Sequence, residues 1–154
     1  MIHWTELSNH NTPLWGPTLG NIMRTYVIAG RPTPLSRPRF SSFNSRVYDP
    51  QKAAKVVPII SLASQHNDEP LLDGPLHLDI IFYMPIPLKG NRSNKYKING
   101  TPHCIKPDLD NLIKWIGDIS CGVIYRDDAL IASITSKKVY DLNPRTEFVI
   151  TTIG

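Results

Sequence analysis

The stretch from Lys106 to Asp128, KPDLDNLIKWIGDISCGVIYRDD, constrains the fold more than any other part of the chain. Pro107 suits the first turn of a helix, where a missing N–H costs nothing. Leu109, Leu112, Ile113, Ile116 and Ile119 then recur at helical spacing and trace one apolar stripe. The other strong pattern is a strand. Leu76, Leu78, Ile80, Phe82 and Met84 alternate with His77, Asp79, Ile81 and Tyr83, which puts one wholly apolar face on a core. His77 and Asp79 share the second face; a catalytic pairing is conceivable there, but a solvated sheet face is the simpler reading.

Local chemistry supplies the remaining elements. Arg24 to Ala29 reads as a strand rich in Thr, Tyr, Val and Ile, ending at Gly30. Arg31 to Phe40, RPTPLSRPRF, is extended, because each proline fixes its own φ and keeps its predecessor out of a helix. Asp49-Pro50 reads as the N-cap and first residue of a helix from Gln51 to about Ala63, which Pro58 should kink or split. Pro85 and Pro87 stop the alternating strand, and Leu88 to Thr101 is expected to be a mobile loop. Gly122 to Tyr125 is strand-like. Leu130 to Tyr140 is expected to be a long strand, with Arg145 to Ile153 as its hairpin partner across Asp141–Pro144. At 154 residues the chain is most simply one domain, here residues 23–154, preceded by an irregular arm over 1–22.

Charge is segregated. Arg24 to Lys55 holds seven basic residues against one acid, and Lys89 to Lys106 holds five and none. The acids gather at 108–128 instead. A basic surface around a small acidic focus suits a polyanion held while a cation-loaded centre acts on it. Arg31, Arg37 and Arg39 on the stiff proline scaffold, and Lys89, Arg92, Lys95 and Lys97 in the later loop, are the candidate phosphate contacts; Tyr96 could stack on a base. Cys104 and Cys121 make neither a disulfide framework nor a zinc motif, and read as free thiols of a reducing compartment. The chain opens without a signal-peptide pattern and has no apolar run that could span a bilayer, so a cytoplasmic location is expected.

The acids carry the chemistry. Asp108 and Asp110 would diverge by about 200° inside a regular helix. They converge only if Asp108 belongs to an extended lead-in, at the helix end where the macrodipole favours negative charge. Capping and a routine Asp110–Lys114 ion pair would account for this much. A second acidic pair, Asp127 and Asp128, follows a strand-like segment that could return Asp128 to the same end of the helix. Three converging carboxylates, without His or Cys, suit Mg²⁺ or Mn²⁺. Such a centre hydrolyses phosphodiesters, with Lys114 placed to neutralise charge on the phosphorane or to orient the water.

KPDLDNLIKWIGD followed by YRDD resembles the signature of the RusA family of Holliday junction resolvases. RPTPLSRPRF, VYDPQKAAK, GPLHLDIIFYMPIP and SKKVY resemble further family segments, so the likeness covers most of the chain. The resemblance implies a single α+β domain with a mixed β-sheet and helices packed on it. It implies a Mg²⁺-dependent homodimer, with no nucleotide cofactor, that makes paired cuts in four-way DNA. It carries metal-binding and catalytic roles to Asp108, Asp110 and Asp128, a catalytic role to Lys114 and a supporting one to Asp127. A flap or fork nuclease of phage type with the same centre, and a non-catalytic binder of DNA structure, are the alternatives.

Overall fold

Leu76 to Pro85 is buried on both faces along nearly its whole length, as expected of a strand at the centre of a sheet rather than at an edge. The computed structural model describes residues 21–87 and 98–154. In chain order its elements are β1 (Met23–Ala29), β2 (Arg39–Ser41), β3 (Arg46–Tyr48), α1 (Val56–His66), β4 (Leu76–Pro85), α2 (Leu109–Ser120), β5 (Ile131–Asp141) and β6 (Arg145–Thr152), with a 3-10 turn at Asp128–Leu130 before β5. The main sheet runs β1-β6-β4-β5, and β2 pairs only with β3. β4 is parallel to β5 and antiparallel to β6, which in turn is antiparallel to β1. The chain is therefore α+β, two helices packed on a mixed four-stranded sheet, with a separate hairpin.

The alternation in β4 works as the sequence requires. Leu78, Ile80, Phe82 and Met84 meet Leu112, Trp115, Ile116 and Ile119 of α2 and Leu62 of α1 in one core. Phe148 sits beside Ile80 in the register and stacks on Tyr26 at 5.2 Å. Each of these side chains contributes about 1.5–3 kcal/mol by leaving water. The outer edge of β1 is managed by α1: the Gln65 side-chain amide accepts from Val27 N at 2.8 Å and donates to Val27 O at 2.7 Å. A glutamine thus imitates a neighbouring strand and blunts an edge that would otherwise invite pairing.

Four expectations are corrected. β5 and β6 are not hairpin partners, because β4 lies between them. Straddling one strand means crossing about 10 Å, which Leu142–Pro144 can span. Asp141 and Asn143 give the same turn chemistry either way, and burial of β4 on both sides selects the insertion. The helix expected from Gln51 is a turn over residues 50–55 followed by α1. Pro58 falls in the first turn of α1, where its missing N–H has no partner to lose. The segment 122–125 is a turn rather than a strand, with Gly122 at φ 77 and Ile124 O and Arg126 N bonded to Leu72. The second face of β4 is not a solvated one: His77 is 4% exposed, 3.1 Å from Asp79 and bonded to Ser133 Oγ.

The N-terminal arm up to residue 20, and Lys89, Arg92, Lys95, Tyr96 and Lys97 of the basic loop, lie outside the described residues. No helix among the described residues is long and apolar enough to cross a membrane.

Candidate active site

Asp108 is the N-cap residue of α2 and is extended, at φ −70 and ψ 142. Its side chain makes no capping bond. The carboxylate turns instead to Lys106, whose Nζ lies 2.7 and 2.8 Å from its two oxygens. That ammonium holds the Asp108 carboxyl below its ordinary pKa. The lead-in itself is pinned from the sheet. Lys138 of β5 donates to Ile105 O at 2.6 Å and to Pro107 O at 2.5 Å. Sequence reasoning gave Lys138 no role, because nothing local to β5 signals a contact to a segment some thirty residues earlier.

Asp110 occupies the first turn of α2 and faces Lys114 at 3.4 Å, both largely exposed. Such a pair contributes only a few tenths of a kcal/mol, so these side chains are free to be drawn to a ligand. Asp118, next on the same ridge, is engaged elsewhere. Lys55 bridges it to Asp49, and the same ammonium lies 5.9 Å from the Trp115 ring. That bridge ties the approach to α1 against α2.

Asp128 returns to α2 by a short route. After Ser120 the chain turns at once, with Val123 N and Ile124 N both bonded to Ser120 O. Asp127 then caps the 3-10 turn, its Oδ1 accepting from Ala129 N at 2.8 Å. The Asp128 carboxylate comes to rest against Gly117, where a Cβ would stand 3.4 Å from Oδ1 and 3.6 Å from Oδ2. The buried Tyr125 hydroxyl donates to Oδ1 at 2.6 Å. Burial, with Asp128 beside it, pushes the Tyr125 phenol far above its ordinary pKa, so it remains a donor. Sequence reasoning missed both Gly117 and Tyr125. A glycine inside an amphipathic helix was the available signal, since it costs helix propensity and needs a packing reason.

Asp110, Lys114 and Gly117 lie within about 60° of one another around the helix axis. Asp128 therefore joins α2 on the face that carries Asp110 and Lys114, but about two turns further on, roughly 10 Å along the axis. The shared coordination sphere expected for Asp108, Asp110 and Asp128 is not formed: among the described residues, no three His, Cys, Asp or Glu groups converge enough to hold one ion. Asp128 stops beside Gly117 instead, and each acid has its own partner in Lys106, Lys114 or Tyr125. What the structure does bring together is Lys114 and Asp128, which line one hollow of about 370 Å³ with Gly117 and Leu35. The donor chemistry still suits a hard divalent cation. All three acids are carboxylates, and Asp108 already holds a positive charge on both oxygens.

The proline-arginine segment borders the same region. Leu35 N donates to Asn111 O at 3.0 Å, one residue beyond Asp110. Arg31 shares a second hollow, of about 410 Å³, with Lys106 and Pro107. Arg37 and Arg39 follow, both exposed.

Residues 29–151 match the family model described as Endodeoxyribonuclease RusA. The chain belongs to the RusA endodeoxyribonuclease family. A relative from Bacillus subtilis (strain 168), named Uncharacterized protein YqaN, is 33% identical over 132 residues, covering 81% of this chain and 93% of its own. The RusA match spans every site element described above, from Arg31 to Lys138. RusA is a family of endodeoxyribonucleases, so an acidic ridge bordered by arginines is in keeping with its chemistry.

Proposed function

We propose that this chain is a Mg²⁺-dependent endodeoxyribonuclease that resolves four-way DNA junctions in recombination and repair, working as a cytoplasmic homodimer, phage- or prophage-encoded. The observation that carries the reading is the return of Asp128 to the Asp110–Lys114 face of α2 inside a RusA-family chain. A helical glycine that admits a carboxylate oriented by a buried tyrosine favours a working site over a protein that only binds DNA.

In this mechanism Asp108, Asp110 and Asp128 would hold the cation once drawn together from the separate positions they occupy in this structure, and Mn²⁺ could replace Mg²⁺. When bound, the ion polarises the scissile phosphate and lowers the pKa of attacking water. The protein's own groups do the rest. Lys138 fixes the lead-in that presents Asp108, and Tyr125 fixes the orientation of Asp128. Lys114 swings from Asp110 to the phosphate, where its charge stabilises the phosphorane. Asp127 supports the turn that delivers Asp128. Arg31, Arg37 and Arg39 grip the backbone of branched DNA beside the site, and Lys89, Arg92, Lys95 and Lys97 are further candidate phosphate contacts. A two-fold dimer presents one such site to each of two symmetry-related strands.

The test is a labelled mobile junction incubated with and without Mg²⁺, with products mapped on each strand. Paired, symmetric nicks that need Mg²⁺ are expected. Asp110→Asn should abolish them while junction binding persists. Cleavage by that variant at the wild-type rate would remove Asp110 from the mechanism, and flaps cut in preference to junctions would make the enzyme a fork nuclease.

A further inference from the structure

The β2–β3 hairpin is the most exposed apolar feature of the described chain. Phe40 is 66% exposed, Val47 69%, and Phe43, in the connecting turn, 99%. Phe40 and Val47 are cross-strand partners and share one face, while Arg39 pairs with Tyr48 and Ser41 with Arg46 on the other. From Arg31 to Tyr48 there are four arginines and no acid. No described residue forms an ion pair with Arg37, Arg39 or Arg46.

A two-stranded ribbon of this size is marginal in water by itself, and among the described residues this one is hydrogen-bonded to the body at its base. Gln51 accepts from Ser36 N at 2.6 Å and donates to Pro34 O at 2.9 Å. Asp49 Oδ1 in turn accepts from Gln51 N at 2.8 Å. The same root is bonded through Leu35 N to α2 at Asn111. The hairpin therefore projects from the flank of the acidic ridge with an aromatic tip and an arginine-bearing side.

We propose that this hairpin inserts into the branch point of the DNA substrate, with Phe43 stacking on an unpaired base while Arg39 and Arg46 hold the flanking phosphates. The proposal rests on the nuclease reading for its substrate, and adds an element that recognises an opened base pair. Charge argues for DNA rather than a second copy as the occupant. A self-complementary contact through this hairpin would set arginine rows against each other, and its ten residues fall short of the roughly 800 Å² per partner of a stable interface. Aromatic tips stack on any base, since every base has a π-face. The hairpin would thus read structure, not sequence.

The experiment uses the full chain, with Ca²⁺ in place of Mg²⁺, and junctions or forks carrying 2-aminopurine at the branch point. Wild-type protein should raise the 2-aminopurine emission as the base unstacks. Phe43→Ala should abolish that rise and weaken branched-DNA binding about tenfold, leave duplex affinity unchanged, and be rescued by Phe43→Trp. Phe43 touches no core residue, so loss of folding is not a competing outcome. Unchanged emission and affinity in Phe43→Ala would overturn the proposal. A change in oligomeric state of Phe43→Ala or Phe40→Ala would assign the hairpin to a contact between copies and overturn it too. Emission that responds in a protein without Mg²⁺-dependent cleavage would uphold the hairpin and defeat the nuclease reading. Cleavage without an emission response would do the reverse, and no binding to branched DNA would defeat both.

Discussion

Gly117→Ala separates a structural from a functional account of the Asp128 contact. Gly117 lies in α2 with an ordinary negative φ, so alanine fits the backbone without strain. Outside the helix's own backbone, the nearest neighbours of the added methyl are Asp128 Oδ1, Oδ2 and Cγ, at 3.4, 3.6 and 3.7 Å. These are van der Waals separations, tight only at Oδ1. Replacing a helical glycine by alanine stabilises by up to about 1 kcal/mol, which in a chain of this size raises Tm by about 2–4 °C. The same methyl covers the flank of the Asp128 carboxylate and displaces whatever approaches it from α2. If that carboxylate works on a bound cation, metal affinity or cleavage should fall by about 10- to 100-fold, the usual cost of disturbing the shell around a ligand. The assay is thermal unfolding alongside junction cleavage titrated with Mg²⁺. A protein that melts higher and cuts poorly, partly recovered by more Mg²⁺, is expected. A variant that melts higher and cuts as well as wild type would refute the idea that the glycine exists to admit Asp128 to a working site.

Two other outcomes follow from the charges and burial described. Replacing Arg37 and Arg39 together with glutamine should weaken junction binding and reduce the slope of log affinity against log salt by about 2, about 0.9 for each lost phosphate contact; an unaltered slope would show that these side chains do not touch DNA. Burial, the main cause, raises the Tyr26 and Tyr83 phenols to about 12, against about 10 in the unfolded chain. Between those values the folded state binds more protons, so stability is full below about pH 10 and falls as pH rises towards 12. Urea midpoints measured from about pH 8 to about pH 11 should decline above pH 10, and phenolate absorbance of these two groups near pH 10 in folded protein would contradict the linkage.

Much of this protein is written in its local sequence. The period of 3.6 in Leu109–Ile119 and of 2 in Leu76–Met84 fixes which faces are buried, because those spacings are properties of the backbone itself. The extended lead-in at Asp108 and the Asp110–Lys114 pair follow from the same geometry. The pairing of strands does not. Turn residues at 141–144 reverse the chain whether β6 lies beside β5 or beyond β4, and only the need to bury both faces of β4 chooses between them. The position of Asp128 is likewise a tertiary fact. Its distance along the chain from Asp110 says nothing of how far the turn at 120–125 lets it travel back, and it reaches Gly117, not the helix entrance. Gln65 on the β1 edge, Lys138 under the lead-in and Tyr125 behind Asp128 belong to the same class. Each is an ordinary polar residue in its own element, given its task by packing that joins parts of the chain no local pattern connects.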